Sequence, residues 1–245
     1  MITIVGIGPG GREHMTGAAL DALSRAETIV GYSFYIGLLG SLADGKKVVS
    51  TGMTRETERC EKAVELALAG EDVAVVSTGD PGVYGMAGLV LEILEKRDPG
   101  GTVEAEVVPG LSAANAAASV LGAPLMSDYA VVSLSDLMTP WVIIEKRLKA
   151  AATGDFVTAL YNPRSRKRRD HFDRAAAILG TALPPSTPVG IVRNALREGQ
   201  ESVITTLSSA GEADIDMMSV VIVGNSLTRI INGRMVTPRG YGLED

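Results

Sequence analysis

What most constrains the fold of this chain is the alternation of short β-branched runs with longer stretches of helical period. Runs over residues 2–7, 27–31, 46–50, 72–77 and 103–107 read as strands, and the pattern resumes over 129–134, 156–161, 188–192 and 219–223. Strands separated by helices cannot close tight hairpins and pair largely in parallel, so the order predicts α/β architecture with mixed, largely parallel sheets. Between the two series, Gly122-Ala123-Pro124-Leu125-Met126-Ser127-Asp128 interrupts both periodicities. That break predicts an N-terminal α/β lobe over residues 1–122 and a C-terminal α/β lobe over 123–245. With 28 glycines and only 4% aromatic residues, the core is expected to be built from Ala, Val, Leu and Ile, with many turns where backbone approaches backbone or ligand.

Two local patterns are explicit. Between residues 54 and 69, Cys60, Ala63, Val64, Ala67 and Leu68 recur at helical spacing and predict one buried stripe, with Glu56, Glu58, Glu61, Lys62 and Glu65 on the other faces. Cys60 then reads as a small packed hydrophobe. Near the C-terminus, Ile230-Ile231-Asn232-Gly233-Arg234-Met235-Val236 predicts a hairpin, because Asn-Gly takes the positive φ values of a type I′ turn.

A net charge of −6 argues against nucleic acid as a partner, so an anionic ligand must be met by a local basic patch. A single cysteine leaves no internal disulfide, and no apolar run reaches the ~20 residues that span a bilayer. The chain enters a strand pattern directly from Met1, without the regions of a signal peptide, and is expected to be cytoplasmic and free of membrane. There is no Cys/His set at metal-site spacing, so no protein-bound metal is expected.

Gly6-Ile7-Gly8-Pro9-Gly10-Gly11 follows the first strand and satisfies G-x-G-x-x-G. A dinucleotide site also wants an acidic residue closing the second strand, where this chain has Gly31-Tyr32, and Pro9 removes an N–H from the turn. A tight turn without a ligand explains the loop equally well. The other turns add weight to a ligand: Thr78-Gly79-Asp80-Pro81-Gly82, Pro109-Gly110-Leu111-Ser112-Ala113, Tyr161-Asn162-Pro163-Arg164 and Val223-Gly224-Asn225 each follow a strand. Together they predict a cleft floored by exposed backbone.

These loops, in this order, resemble those of the tetrapyrrole methylases over essentially the whole chain. Val30-Gly31-Tyr32, Thr51-Gly52-Met53-Thr54-Arg55-Glu56, Ser135-Asp136-Leu137-Met138-Thr139-Pro140-Trp141, Tyr161-Asn162-Pro163-Arg164-Ser165-Arg166 and Thr237-Pro238-Arg239-Gly240-Tyr241 are similar to the precorrin-3B C17-methyltransferase branch, whose anaerobic counterpart acts on cobalt-factor III. The resemblance implies two α/β lobes with an S-adenosylmethionine cleft between them, assembled as a homodimer. It implies cofactor contacts at Pro9, Thr78, Gly79, Asp80, Val83, Ser112 and Ala113, followed by Asn162 and Gly190. Thr78 departs from the glycine or serine of many relatives, and Gly190 from the alanine of others.

The implied reaction methylates carbon 17 of a tetrapyrrole and contracts its ring. In-line methyl transfer needs positioning more than a protein nucleophile, whereas contraction needs proton transfers. Candidates for those are Asp80, His14 and Ser77, with Tyr84 beyond them; His14 also reads as a solvated loop residue, and His171 as a surface one. For a polycarboxylate substrate the candidate cations are Arg55, Arg164 and Arg239, while Arg168 and Arg169 read as a solvated helix start. Three other readings compete: another corrin or uroporphyrinogen methyltransferase, a nucleotide-binding oxidoreductase built on the Gly6 to Gly11 loop, and a non-catalytic scaffold that keeps the fold.

Overall fold

The computed structural model describes residues 1–241 and divides into two compact units, Met1–Ala113 and Ala114–Asp245. In the first, β1 (Ile2–Gly6), α1 (Gly17–Arg25), β2 (Thr28–Tyr32), α2 (Ser33–Gly37), β3 (Lys47–Thr51), α3 (Glu56–Leu68), β4 (Val73–Ser77), α4 (Ala87–Arg97) and β5 (Ala105–Val108) alternate as expected. Their strands form one parallel sheet in the order β3-β2-β4-β1-β5. Both faces are covered, and the strand period of two sorts the side chains. Ile2, Ile4, Val73 and Val75 pack with α3 and α4, while Val5, Ala74 and Val76 pack with Ala19, Ala22 and Leu23 of α1.

The apolar stripe of α3 is shifted from its expected course. Cys60, Ala63, Val64 and Ala67 are buried, but Leu66 completes the stripe and Leu68 is exposed. The neighbouring α4 widens the covered face toward Leu66. Burial also pushes the Cys60 thiol up to about 11, which makes it an unreactive core group.

In the second unit, α5 (Ala113–Leu121) starts at the division, and β6 (Gly122–Ala123), β7 (Tyr129–Ser133), α6 (Trp141–Thr153), β8 (Val157–Tyr161), α7 (His171–Leu179), β9 (Pro188–Arg193), β10 (Glu201–Thr206), β11 (Ser219–Val223), β12 (Arg229–Ile231) and β13 (Arg234–Val236) follow. The division of the units falls between Ala113 and Ala114, one residue into α5, whereas the sequence break lies at 122/123. The reason is local: Leu121 fills the face of β9 left open by Gly190, so α5 packs with what comes after it. The main sheet, β10-β9-β11-β8-β7, is parallel only between β7 and β8; β8, β11, β9 and β10 pair antiparallel. Its core joins Leu160, Val189, Ile191, Val221 and Val223 to Ile144 and Leu148 of α6 and Phe172 and Leu179 of α7. Asn232 and Gly233 hold φ of 49° and 76°, and the hairpin they turn pairs with β6 as a separate small sheet.

Candidate active site

In the first unit β1 lies between β4 and β5, so the loops after Gly6, Ser77 and Val108 leave from one end of the sheet. Gly8 and Gly79 exchange two backbone hydrogen bonds, Gly8 N–H to Gly79 O at 3.1 Å and Gly79 N–H to Gly8 O at 2.8 Å. The third loop presses against both. A Cβ on Gly110 would lie 2.2 Å from the Gly79 oxygen and 2.7 Å from the Gly6 carbonyl carbon, and one on Gly6 would lie 2.6 Å from the Gly110 nitrogen. The glycines are thus needed for backbone to meet backbone.

Asp80 fastens this junction. Its Oδ1 accepts the Gly82 N–H at 2.8 Å and its Oδ2 the Gly110 N–H at 3.1 Å. The carboxylate that the resemblance implies as a cofactor contact therefore also orders two of the three loops.

One position in the junction stays open. Gly79, at φ 66°, would place a Cβ no closer than 3.8 Å to the Ala113 nitrogen and 4.0 Å to the Leu111 oxygen. Space bordered by a donor and an acceptor of the main chain suits an adenosyl group, and α5 begins at Ala113, whose N–H has no intrahelical acceptor. Thr78, Gly79, Asp80, Ser112 and Ala113 are half-buried around it, Val83 and Tyr84 are exposed, and Pro9 is buried within the first loop. The residues present fit S-adenosylmethionine.

Among the proton-transfer candidates, Ser77 is buried, its carbonyl taking the Ile7 N–H at 2.9 Å. His14 ends a short 3-10 turn; its Nε2 is 3.9 Å from the Glu13 carboxylate and its carbonyl packs against Gly8. Arg55 precedes α3 with its guanidinium on the Glu58 carboxylate, both contacts at 2.5 Å. The sequence reading missed Arg59, which is buried. Its Nη1 donates to Thr51 Oγ1 at 2.6 Å and to Gly52 O at 3.3 Å, tying the Thr51-Gly52-Met53 segment to α3. The available signal was its position four residues before Ala63 on the apolar stripe.

In the second unit, Asn162 follows β8 at φ 53° and donates from Nδ2 to Ser133 Oγ at 2.9 Å, while the Tyr161 hydroxyl accepts the Ala114 N–H at 2.8 Å. The Val223-Gly224-Asn225 turn does not join them. Since β11 runs antiparallel to β8, this turn lies at the opposite end of the sheet, where Asn225 and Ser226 bond to Asp155. Gly190 meets a packing constraint: a Cβ there would lie 2.3 Å from Leu121 Cδ1. Gly190→Ala is expected to cost about 1–3 kcal/mol by overpacking. Shortening Leu121 to alanine in the same chain should make the double variant more stable than the sum of the two single losses, measured by urea unfolding.

Arg164 donates from Nη2 to Asp173 at 2.7 Å and to Gly211 O at 3.1 Å, and lies over the Phe172 ring; Arg239 is exposed. Two expectations are corrected. Arg168 is buried, with Nη2 3.4 Å from Met217 Sδ, because the loop folds back through Ser165 N–H to Arg168 O. His171 is also buried, between Asp136 Oδ2 at 3.1 Å and Asp170 Oδ1 at 3.2 Å and edge-on to Trp141.

The His171 side chain holds the Asp136 carboxyl below the usual carboxylate range. A carboxylate with a depressed folded pKa adds stability above its unfolded value, about 3.9, and loses it as pH falls through the folded value. The wild type should therefore lose more stability than His171→Asn between about pH 5 and pH 3, followed by urea unfolding; equal losses would deny the coupling.

The model of the tetrapyrrole (corrin/porphyrin) methylases matches residues 1–211. The chain belongs to the tetrapyrrole methylase family. Among members, it is 50% identical over 243 residues to a probable cobalt-factor III C(17)-methyltransferase of Salmonella typhimurium, covering 99% of this chain and 100% of that one. It is 47% identical to the cobalt-factor III methyltransferase of Priestia megaterium, covering 98% of this chain but 45% of that longer one. The crystal structure of the methyltransferase CobJ superposes with a TM-score of 0.91 at 38% identity, covering 97% of this chain and 99% of CobJ. Membership in the tetrapyrrole methylases removes the oxidoreductase reading of the Gly6 to Gly11 loop, whose glycines here serve the junction of three loops.

Proposed function

We propose that this protein is an S-adenosylmethionine-dependent C-methyltransferase that methylates carbon 17 of cobalt-factor III, with ring contraction, in cobalamin biosynthesis. The observation that carries the reading is the 50% identity over the full length of a relative named for that reaction. Precorrin-3B is the alternative substrate, and the names of the relatives at 42–50% identity favour cobalt-factor III.

S-adenosylmethionine, when bound, supplies an electrophilic methyl group on a sulfonium. The chain's part is to hold it and the ring carbon in line. Thr78, Gly79, Ser112 and Ala113 would hold the adenosyl group through the main chain beside Gly79, and Asp80 keeps those segments in place. Pre-ordered loops lower the entropy lost in reaching near-attack geometry. His14, at the edge of the first loop, is the residue we assign to proton movement during contraction, since an imidazole can both accept and donate a proton through its ring nitrogens. In the same reading the enzyme is a cytoplasmic homodimer, and cobalt enters with the substrate. No group of three potential metal ligands occurs among the described residues, and no described helix is long and apolar enough to cross a membrane.

The test is anaerobic incubation of the purified protein with methyl-labelled S-adenosylmethionine and cobalt-factor III or precorrin-3B. Label is expected in the tetrapyrrole fraction. If S-adenosylhomocysteine binds while neither tetrapyrrole gains label, another substrate or a non-catalytic role replaces this reading.

A further inference from the structure

A cavity of 490 Å³ in the second unit is lined by Arg164, Arg166, Arg169, Ile215, Asp216 and Met217, among others. Its charge is unbalanced. The carboxylate of Asp216 is already committed, with Oδ1 accepting Met218 N–H at 2.8 Å and Ser219 Oγ–H at 3.0 Å and Oδ2 lying 3.0 Å from Arg193 Nε. Asp173 engages one nitrogen of Arg164. Arg166 and Arg169 are exposed at the cavity, and among the described residues neither is in an ion pair. The Nε atoms of Arg164 and Arg168 are buried without an acceptor.

In a chain of net charge −6, this places uncompensated guanidinium groups around a depression with Ile215 and Met217 in its wall. The loop is built to hold them there. Ser165 and Arg168 close it with two hydrogen bonds, and the buried Arg168 anchors it on Met217, so Arg166 and Arg169 project from a fixed support. Guanidinium forks over an apolar wall match a ligand with an apolar body and several carboxylates.

We infer that this cavity is a carboxylate-binding site, in which Arg166 and Arg169 pair with carboxylate arms of the tetrapyrrole. The assignment of the arms to a tetrapyrrole rests on the function proposed above; the carboxylate chemistry of the cavity does not.

The experiment compares the full chain with an Arg166→Ala/Arg169→Ala variant. In the methyl-transfer assay the variant should raise KM for the tetrapyrrole roughly 10-fold or more while leaving kcat within about twofold, since the lost charge-assisted bonds serve binding in the ground state and the transition state alike. Its affinity for S-adenosylhomocysteine, measured by calorimetry, should match that of the wild type and shows that the variant is folded. Tricarballylate and inorganic phosphate are titrated in parallel. Tricarballylate binding that disappears in the variant supports the site, even if the wild type turns over no tetrapyrrole; in that case the proposed function fails and the carboxylate site stands with another ligand. Tighter binding of phosphate than of tricarballylate would reassign the cavity to phosphate. An unchanged KM, or tricarballylate binding equal in both proteins or absent from both, would overturn the inference.

Discussion

Replacement of Gly110 by alanine is expected to lower the thermal midpoint by roughly 6–12 °C, or to prevent folding of the first unit. The added Cβ would lie 2.2 Å from the Gly79 oxygen and 2.8 Å from the Gly6 oxygen, both main-chain atoms of neighbouring loops. No side chain can rotate away, so two loops must separate. The cost should reach the upper end of overpacking, about 3 kcal/mol or more, and at this chain length each kcal/mol moves the midpoint by about 2–4 °C. Gly79→Ala provides the contrast. Its Cβ would have no neighbour closer than 3.8 Å, so it adds only backbone strain at φ 66°, of order 1–2 kcal/mol. It should unfold closer to wild type yet bind S-adenosylhomocysteine more weakly, because the methyl group occupies the space assigned to the ligand. Calorimetric scanning and titration together check both halves. Equal midpoints for the two variants would contradict the packing account.

Removing the Asp80 carboxylate should weaken cofactor binding by roughly 10- to 100-fold in Asp80→Ala. Two main-chain N–H groups, from Gly82 and Gly110, lose their acceptor, and hydrogen bonds to a charged group contribute roughly 1.5–3 kcal/mol each. Water can replace the carboxylate at exposed Gly82 more readily than at half-buried Gly110, so the loss should fall short of the full sum. Asp80→Asn separates two roles. It retains one oxygen acceptor, so if the group acts by ordering the loops, the variant should recover part of the affinity. If the negative charge itself contacts the ligand, Asn should be as poor as Ala. Affinity for S-adenosylhomocysteine, which lacks the sulfonium charge, compared with S-adenosylmethionine then shows whether Asp80 also faces that charge.

The first unit was legible because a parallel sheet covered on both faces writes continuous apolar runs such as Ile2-Thr3-Ile4-Val5 and Val73-Ala74-Val75-Val76. The second was less so. β10, Glu201–Thr206, was not among the expected strands, although Val203-Ile204-Thr205-Thr206 is β-branched, because the turn from 194 to 200 mixes charged and small residues without a hairpin signature. Strand direction was also hidden: nothing local in Ser219-Val220-Val221-Ile222-Val223 distinguishes an antiparallel partner from a parallel one. The Val223-Gly224-Asn225 turn was consequently placed with the ligand loops.

At the level of single residues, composition named the loop glycines but not their purposes. Gly6 and Gly110 meet backbone, Gly190 meets Leu121, and Gly79 meets open space. Such differences depend on which chain segments pack together, which spacing along one sequence does not record. His171 and Arg168 were misplaced for the same reason. Charged neighbours in sequence suggested solvent, while the fold turned both inward, His171 between two carboxylates and Arg168 onto Met217.

The most direct test of the central claim is the position of the transferred methyl group. With ¹³C-methyl S-adenosylmethionine, cobalt-factor III and the wild-type protein under anaerobic conditions, carbon NMR of the isolated product should show the labelled methyl on carbon 17 of a ring-contracted macrocycle. Label on a different ring carbon, or an unlabelled tetrapyrrole from protein that binds S-adenosylhomocysteine, would contradict the account.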